Sequence, residues 1–375
     1  MNQPSTYRVL MAAGGTGGHV YPAIAIADAI KDLVPGADIR FAGTRTHMEW
    51  NAVPKAGYKI EPIWISGFHR RITVQNLLFP IKLVISLLQS WNILRKFKPD
   101  VVVCCGGYVS GPIGRMAGFL KIPLMLQEQN SYPGVTNRLL GKSASLIFTA
   151  FDEAAQWFPE EKVRQTGNPV RKDVTNGNRS IASTKFAFNT NQKTVLIMGG
   201  SGGAKSLNDA MERHLDELHN KHELQIIWQC GKNYLPQLKE RINEGKYPNL
   251  RLTDFLDDMP GVYALADVIV CRAGAGTIAE LMVTGSVSVL VPSPYVAGNH
   301  QFKNAKAVVD KGAAEMIPDE NLGEMLPEVI LRLLADRSKS KAMSDVARSL
   351  AAPNASNEIA KQIISVTTAG KSLEK

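Results

Sequence analysis

Gly14-Gly15-Thr16-Gly17-Gly18-His19-Val20-Tyr21-Pro22 is the stretch whose reading decides the fold. An apolar run at residues 7–12 precedes it and reads as a buried strand. Behind it Ile24, Ala27, Ile30 and Leu33 recur at helical spacing, which predicts a helix over 23–33. The glycines therefore lie in a strand-to-helix turn. Without a β-carbon they let backbone N–H groups converge on an anion, and the helix N-terminus adds partial positive charge. One such turn would equally serve to pack helix on strand. A second copy shifts the balance: Gly199-Gly200-Ser201-Gly202-Gly203-Ala204-Lys205 follows the apolar run 194–198 and opens a helix read over 207–218. Each half of the chain thus begins its own sheet with the same device, suited to a ligand that carries phosphate.

Strand-like runs alternate with helical ones on both sides of this pair. They fall at 7–12, 38–42, 59–65, 101–105, 124–127 and 146–149, then at 194–198, 224–229, 250–253, 268–271, 287–291 and 314–317. That alternation predicts two parallel sheets wound on both faces. The Asn/Ser/Thr-rich segment 173–193 reads as the lead-in to the second half, so the expected domains are 1–170 and 171–351, with a final helix over 352–375 returning to the first. A nicotinamide site is disfavoured. Val20 stands where Gly-x-Gly-x-x-Gly needs its last glycine, and no acid follows the strand 38–42 to hold a ribose.

A formal charge of +9 on 375 residues points to an anionic partner. With no aromatic-basic stretch and no zinc-finger spacing, nucleic acid is not expected. Cys104, Cys105, Cys230 and Cys271 lie in apolar runs without Cys-x-x-Cys spacing and read as core residues in a reducing compartment. The polar residues 1–8 carry no leader-like apolar segment, and no apolar run reaches the ~18 residues of a membrane span. A cytoplasmic protein is expected. Residues 77–88 carry a single charge. They read either as a buried core helix or as an interfacial patch, with Phe79, Ile81, Leu83 and Trp91 in lipid and Arg70, Arg71 and Lys82 on acidic head groups.

Further polar positions gather at strand ends. Gly106-Gly107-Tyr108 is a third glycine turn, followed by a helix read over 113–120. Gln127-Glu128-Gln129-Asn130 closes the strand 124–127. Arg272-Ala273-Gly274-Ala275-Gly276-Thr277-Ile278-Ala279-Glu280 opens another helix. There Thr277 and Glu280 form either a capping box or a ribose-binding pair. Asn299-His300-Gln301 ends a loop ahead of a helix read over 302–311 and either caps it or holds sugar hydroxyls.

Taken together, 14–22, 106–112, 128–130, 167–171, 199–204, 254–259, 272–280 and 300–304 resemble the MurG family, in the family's order and over nearly the whole chain. The family transfers N-acetylglucosamine from UDP-GlcNAc to lipid I, giving lipid II for peptidoglycan. The resemblance implies the GT-B architecture, an α/β fold of two Rossmann-like parallel-sheet domains facing across a cleft. It implies inverting transfer to the C4 hydroxyl of the acceptor's MurNAc ring, no cofactor and no metal. The enzyme would sit peripherally on the cytoplasmic side of the inner membrane, with cell-wall synthesis proteins as further partners. By the same resemblance UDP-GlcNAc would meet Thr16, Gly17, Gly18, Asn130, Arg171, Ser201, the Leu256 backbone, Ala275, Gly276, Thr277, Glu280 and Gln301. The acceptor would meet Gly14, Gly15, Tyr108 and Glu128. His19, Arg272 and Glu280 would form the catalytic set, with His19 the base, since a helix N-terminus favours a neutral ring that can accept a proton. Where the family commonly has His before Glu-Gln-Asn this chain has Gln127, which cannot shuttle protons. A UDP-GlcNAc 2-epimerase on the same architecture and a non-catalytic sugar-nucleotide scaffold are the competing expectations.

Overall fold

The computed structural model describes residues 6–67, 78–221 and 224–373. The chain divides into two units, Met1–Arg171 with Ala352–Lys375, and Lys172–Ala351. Arg70 and Arg71 lie outside the described residues.

The first unit carries β1 (Arg8–Ala12), β2 (Asp38–Gly43), β3 (Lys59–Pro62), β4 (Val101–Cys104), β5 (Leu124–Glu128), β6 (Leu146–Thr149) and β7 (Val163–Gln165). They form one sheet in the order β3-β2-β1-β4-β5-β6-β7, parallel throughout. Its helices are α1 (Gly17–Leu33), α2 (Glu49–Lys55), α3 (Phe79–Phe97), α4 (Ser110–Phe119), α5 (Val135–Leu140) and α6 (Asp152–Ala155). Side chains alternate across a strand, so successive residues of β1 feed two different cores. Val9 and Met11 pack under Val20, Ile26 and Ile30 of α1. Leu10 and Ala12 pack under Leu94 of α3 and Ile113 of α4. Helices on both faces explain why Val101-Val102-Val103-Cys104 is apolar without alternation and wholly buried.

The second unit carries β8 (Thr194–Met198), β9 (Gln225–Gln229), β10 (Leu250–Thr253), β11 (Val268–Arg272), β12 (Ser288–Val291) and β13 (Glu315–Met316). Their order is β10-β9-β8-β11-β12-β13, again all parallel. Its helices are α7 (Arg179–Phe186), α8 (Lys205–Asp216), α9 (Leu235–Arg241), α10 (Met259–Leu265), α11 (Ala275–Thr284), α12 (His300–Val309), α13 (Leu322–Ala335) and α14 (Arg337–Ser349). The last helix, α15 (Ala355–Leu373), belongs to the first unit, where Ile359, Ala360 and Ile363 are fully buried.

Several boundaries differ from those read in the sequence. α1 starts at Gly17, six residues before Ala23, so Gly17, Gly18 and His19 form its first turn and Pro22 is accommodated inside it. β3 stops at Pro62, and the next residue makes a last bond, Ile63 N donating to Gly43 O of β2. α12 begins at His300 and α4 at Ser110. α3 is not a core helix buried through its apolar side. Its buried residues are Ser86, Ser90, Leu94 and Phe97. Ser86 Oγ donates to Leu83 O and Ser90 Oγ to Ser86 O, so the hydroxyls are satisfied within the helix. The stripe Ile81, Val84, Leu88, Trp91 faces outward instead, with Leu83 beside it, and Leu88 is 64% exposed. Phe79 departs from the interfacial set, since it packs partly against the core beneath α3.

Candidate active site

In each sheet the strand order reverses once, between β1 and β4 in the first and between β8 and β11 in the second. Open α/β sheets bind ligands at the carboxyl ends of the strands at such a reversal. The turns singled out in the sequence leave these strands: 13–18 after β1, 105–110 after β4, 199–204 after β8 and 273–277 after β11.

At the first reversal the two glycine turns touch. A Cβ on Gly107 would collide with the Gly14 carbonyl oxygen. Ser110 Oγ accepts from Gly106 N at 3.1 Å and lies 2.9 Å from the Ala12 carbonyl and 2.8 Å from that of Gly106, which share its proton. Gly106 has φ +101, and a Cβ there would stand 2.7 Å from His19 Nδ1, so the imidazole rests on this glycine. His19 Nδ1 lies 2.9 Å from Gln129 Oε1. Thr16 caps α1 without a side-chain hydrogen bond and is exposed, as is Gly18. His19 N and Val20 N both donate to Thr16 O. The Gly17 and Gly18 amides precede the first intrahelical acceptor and stay open to a ligand.

Three expected contacts take a different form. The Gly15 amide donates to Glu49 Oε2 at 3.0 Å, and Glu49 Oε1 accepts from Thr44 N and Thr44 Oγ1. A fully buried internal carboxylate therefore occupies the place an acceptor phosphate was expected to fill at Gly15, while Gly14 is itself buried. Glu128, 1% exposed, accepts from Asn130 N, Asn130 Nδ2, Gly134 N and Asn137 Nδ2. Its oxygens shape the loop that presents Asn130 and do not face outward to an acceptor. Tyr108 is 51% exposed, its ring over Gly67, where a Cβ would collide with it. Arg171 is exposed at the last residue of this unit's first segment.

At the second reversal the turn 199–204 bends through Gly200 at φ +84 and Gly203 at φ +74, and Gly203 N donates to Gly200 O. Gln229 Nε2 ties this turn to the next loop, donating to Gly200 O at 2.9 Å and Asp254 O at 2.8 Å. Ser201 is exposed at its tip. Asn208 N is the first amide of α8 to find an intrahelical acceptor, Ala204 O, so those of Lys205, Ser206 and Leu207 are open. On the neighbouring strand Ile278 N bonds Gly274 O, leaving the amides of Ala275, Gly276 and Thr277 open at the start of α11. Two helix N-termini at one reversal make an electropositive backbone site.

The capping-box reading of Thr277 and Glu280 does not hold. Gly274 is the N-cap, and Thr277 is the third residue of the helix with no capping hydrogen bond. Glu280 instead accepts from Tyr263 Oη at 2.8 Å. Arg272 donates to Asp319 Oδ1, to Ser206 Oγ at 2.8 Å and to Val291 O. With both side chains of the pair 13% exposed, Asp319 neutralises the guanidinium, which anchors the start of α8. Leu256 is buried beside the exposed Phe255. Gln301 Oε1 accepts from Ser293 N at 2.8 Å, and among the described residues its Nε2 has no partner.

Glu49, Gln229, Tyr263 and Asp319 were not read from the sequence, and Gln129, read there as one of four polar residues at a strand end, was not paired with His19. The signal available was an isolated polar residue at a strand end or helix start, with the partner far along the chain.

Residues 9–149 match the glycosyltransferase family 28 N-terminal domain, and residues 194–363 the glycosyltransferase family 28 C-terminal domain. A UDP-N-acetylglucosamine–N-acetylmuramyl-(pentapeptide) pyrophosphoryl-undecaprenol N-acetylglucosamine transferase of Flavobacterium psychrophilum is 43% identical over 98% of this chain and 99% of its own. The crystal structure of MurG from Acinetobacter baumannii superposes with a TM-score of 0.74 at 30% identity, over 96% of this chain and 99% of that one. A UDP-GlcNAc 2-epimerase from Neisseria meningitidis has a TM-score of 0.68 at 16% identity, over 96% of this chain and all of that one, and shares the fold alone. The chain belongs to glycosyltransferase family 28, within the MurG family.

Proposed function

We propose, with membership of that family as the premise, that the chain transfers N-acetylglucosamine from UDP-GlcNAc to the C4 hydroxyl of a MurNAc-(pentapeptide)-pyrophosphoryl-undecaprenol. The observation that carries this reading is the pairing of open helix N-termini with a glycine turn at the strand-order reversal of the second sheet. In this reading the second unit holds the donor. The amides of Lys205, Ser206 and Leu207, with Ser201, take the diphosphate. Ala275, Gly276 and Thr277 line the nucleotide, the Leu256 backbone meets the uracil edge and Glu280 accepts from the ribose hydroxyls. Gln301 turns its unpartnered Nε2 to a sugar hydroxyl. Thr16, Gly17, Gly18 and Asn130 add the first unit's share.

Transfer is an inverting displacement. The acceptor oxygen forms a bond to the anomeric carbon, the bond from that carbon to the diphosphate oxygen breaks, and the electron pair leaves with UDP. The hydroxyl proton goes to His19. Open amides aimed at the developing charge stabilise the leaving group, a contribution of roughly 3–4 kcal/mol per well-placed donor in comparable sites. Arg272, neutralised by Asp319, contributes by fixing α8.

The outward stripe of α3 supports docking on a lipid surface, with Ile81, Leu83, Val84, Leu88 and Trp91 as its apolar contacts. Lys82 donates to Ser66 Oγ and stands over Trp64, which is itself exposed. Among the described residues no helix is long and apolar enough to cross a membrane. Family membership supports the proposed attachment as peripheral, on the cytoplasmic leaflet.

One assay tests the reading: UDP-GlcNAc with a lipid I analogue, with and without a chelator. Label reaching the analogue is the expected result. Release of a 2-epimer from UDP-GlcNAc alone would support the epimerase instead, and UDP binding without transfer would support a scaffold.

A further inference from the structure

Around His19 the first unit buries a run of side-chain amides that the mechanism above does not use. Gln129, 1% exposed, and Gln127, fully buried, stand side by side below the imidazole. Gln129 Nε2 lies 2.6 Å from the Cys105 carbonyl oxygen. A backbone carbonyl can only accept, so this contact sets the orientation of the Gln129 amide without sight of a hydrogen. The reversed amide would press two carbonyl oxygens together. Gln127 Oε1 also accepts from Gln129 Nε2, and Gln127 Nε2 donates to Asn168 Oδ1 at 3.1 Å. Gln129 Oε1 is thereby turned to His19 Nδ1, 2.9 Å away.

We propose that Gln129, held by Gln127 and Asn168, is a positioning residue that fixes His19 as the Nδ1–H tautomer and leaves Nε2 as the proton acceptor; this rests on reading His19 as the base. A carbonyl oxygen facing Nδ1 requires a proton there, and a neutral ring then has its lone pair on Nε2. Gly106 fixes the plane of the same ring, since any Cβ would stand 2.7 Å from Nδ1 and 2.8 Å from Cε1. The residue Gln127, found where the family commonly has histidine, fits this role. An amide donates on one side and accepts on the other, so it passes on orientation and transfers no proton. No charge is added beside the base, unlike a carboxylate partner, which would stabilise the imidazolium.

The test is a nitrogen spectrum of the full-length enzyme with ¹⁵N-labelled histidine, at a pH where the rings are neutral, with His19 assigned from the signal missing in His19→Ala. The expected spectrum has a protonated Nδ1 and a bare Nε2. Gln129→Met, similar in length but unable to accept, should give mixed tautomers and lower kcat by about 10- to 100-fold at unchanged KM for UDP-GlcNAc, a part of the roughly 100- to 10,000-fold that acid–base catalysis supplies. A wild-type His19 protonated at Nε2, or a Gln129→Met enzyme with unchanged tautomer and kcat, would overturn the proposal. The wild-type spectrum needs no variant to fold. Wild-type kcat in His19→Ala would sink the base reading alone, and the spectrum would still decide whether Gln129 fixes the tautomer.

Discussion

Glu280 and Asp258 each hold one decisive hydrogen bond, and the consequences of losing them differ. Glu280 accepts from Tyr263 Oη and is proposed to accept from the ribose hydroxyls as well. Hydrogen bonds to a charged group contribute about 1.5–3 kcal/mol. Glu280→Ala should therefore raise the KM for UDP-GlcNAc about 10- to 100-fold, while Tyr263→Phe, which only unties the carboxylate, should raise it a few-fold. Equal effects in steady-state assays would mean that Glu280 serves Tyr263 and not the donor. Asp258 caps α10 by accepting from Gly261 N at 3.0 Å. That bond, and after it Lys185, holds its carboxyl below the usual carboxylate range. A lowered folded pKa means the ionised form stabilises the fold. The contribution is present above the ordinary carboxylate pKa and is lost as pH falls through the folded value. Asp258→Ala should cost about 1 kcal/mol at pH 7, and the gap between the two denaturation midpoints should close as pH falls below the ordinary carboxylate range and through the lowered folded value. A gap that persists in acid would remove the cap from the account. His19 and the glycine turns were legible because they lie close together along the chain. Glu49 and Asp319 were not, because they meet Gly15 and Arg272 across 34 and 47 positions of sequence, and the contact of Gln129 with His19, across 110 positions, was hidden in the same way.

Strands were the most legible elements. Runs such as Thr194–Met198 and Leu250–Thr253 have the extents read from their apolar residues. Thr194–Met198 is buried on both faces and reads as one unbroken apolar run, whereas the edge strand Leu250–Thr253 alternates apolar and polar residues. β7 escaped notice because Val163–Gln165 is a three-residue edge strand with two exposed polar residues. Helix starts were legible to within a turn or so, since glycines that signal a turn also form the first turn of α1. The side chosen by α3 was not legible. Ser86 and Ser90 are polar in sequence yet face the sheet, because each hydroxyl bonds a carbonyl of its own helix. The apolar residues left outside define a prediction at this scale. Val84→Ser with Leu88→Ser should shift the protein off anionic vesicles in a sedimentation assay and leave its thermal unfolding unchanged, since both residues are more than half exposed. Unaltered vesicle binding would refute lipid docking by this stripe, and a falling midpoint would assign the stripe to packing.

The whole chain closes its first unit with its own two ends. Tyr7, just ahead of β1, bonds Thr367 of α15 through the hydroxyls at 2.8 Å, and burial pushes its phenol up to about 12. Ile359, Ala360 and Ile363 complete the core formed by α1 and β1. Each isoleucine is worth roughly 2 kcal/mol of burial, against a domain stability of about 5–15 kcal/mol, so removal of α15 would leave little margin. The second unit depends on none of these residues, since its core runs from Val195 through Trp228 to Met343 within Lys172–Ala351. The turns proposed to hold the donor lie inside the same span. A chain ending at residue 351 should therefore lose the unfolding transition of its first unit in calorimetry and transfer no sugar. It should still bind UDP in titration calorimetry, and residues 172–351 expressed alone should fold and bind UDP with similar affinity. Wild-type turnover by the truncated chain would show that α15 is dispensable to the first unit. Loss of UDP binding by a folded 172–351 fragment would instead place essential donor contacts outside the second unit, where Thr16, Gly17, Gly18 and Asn130 are the proposed contributors.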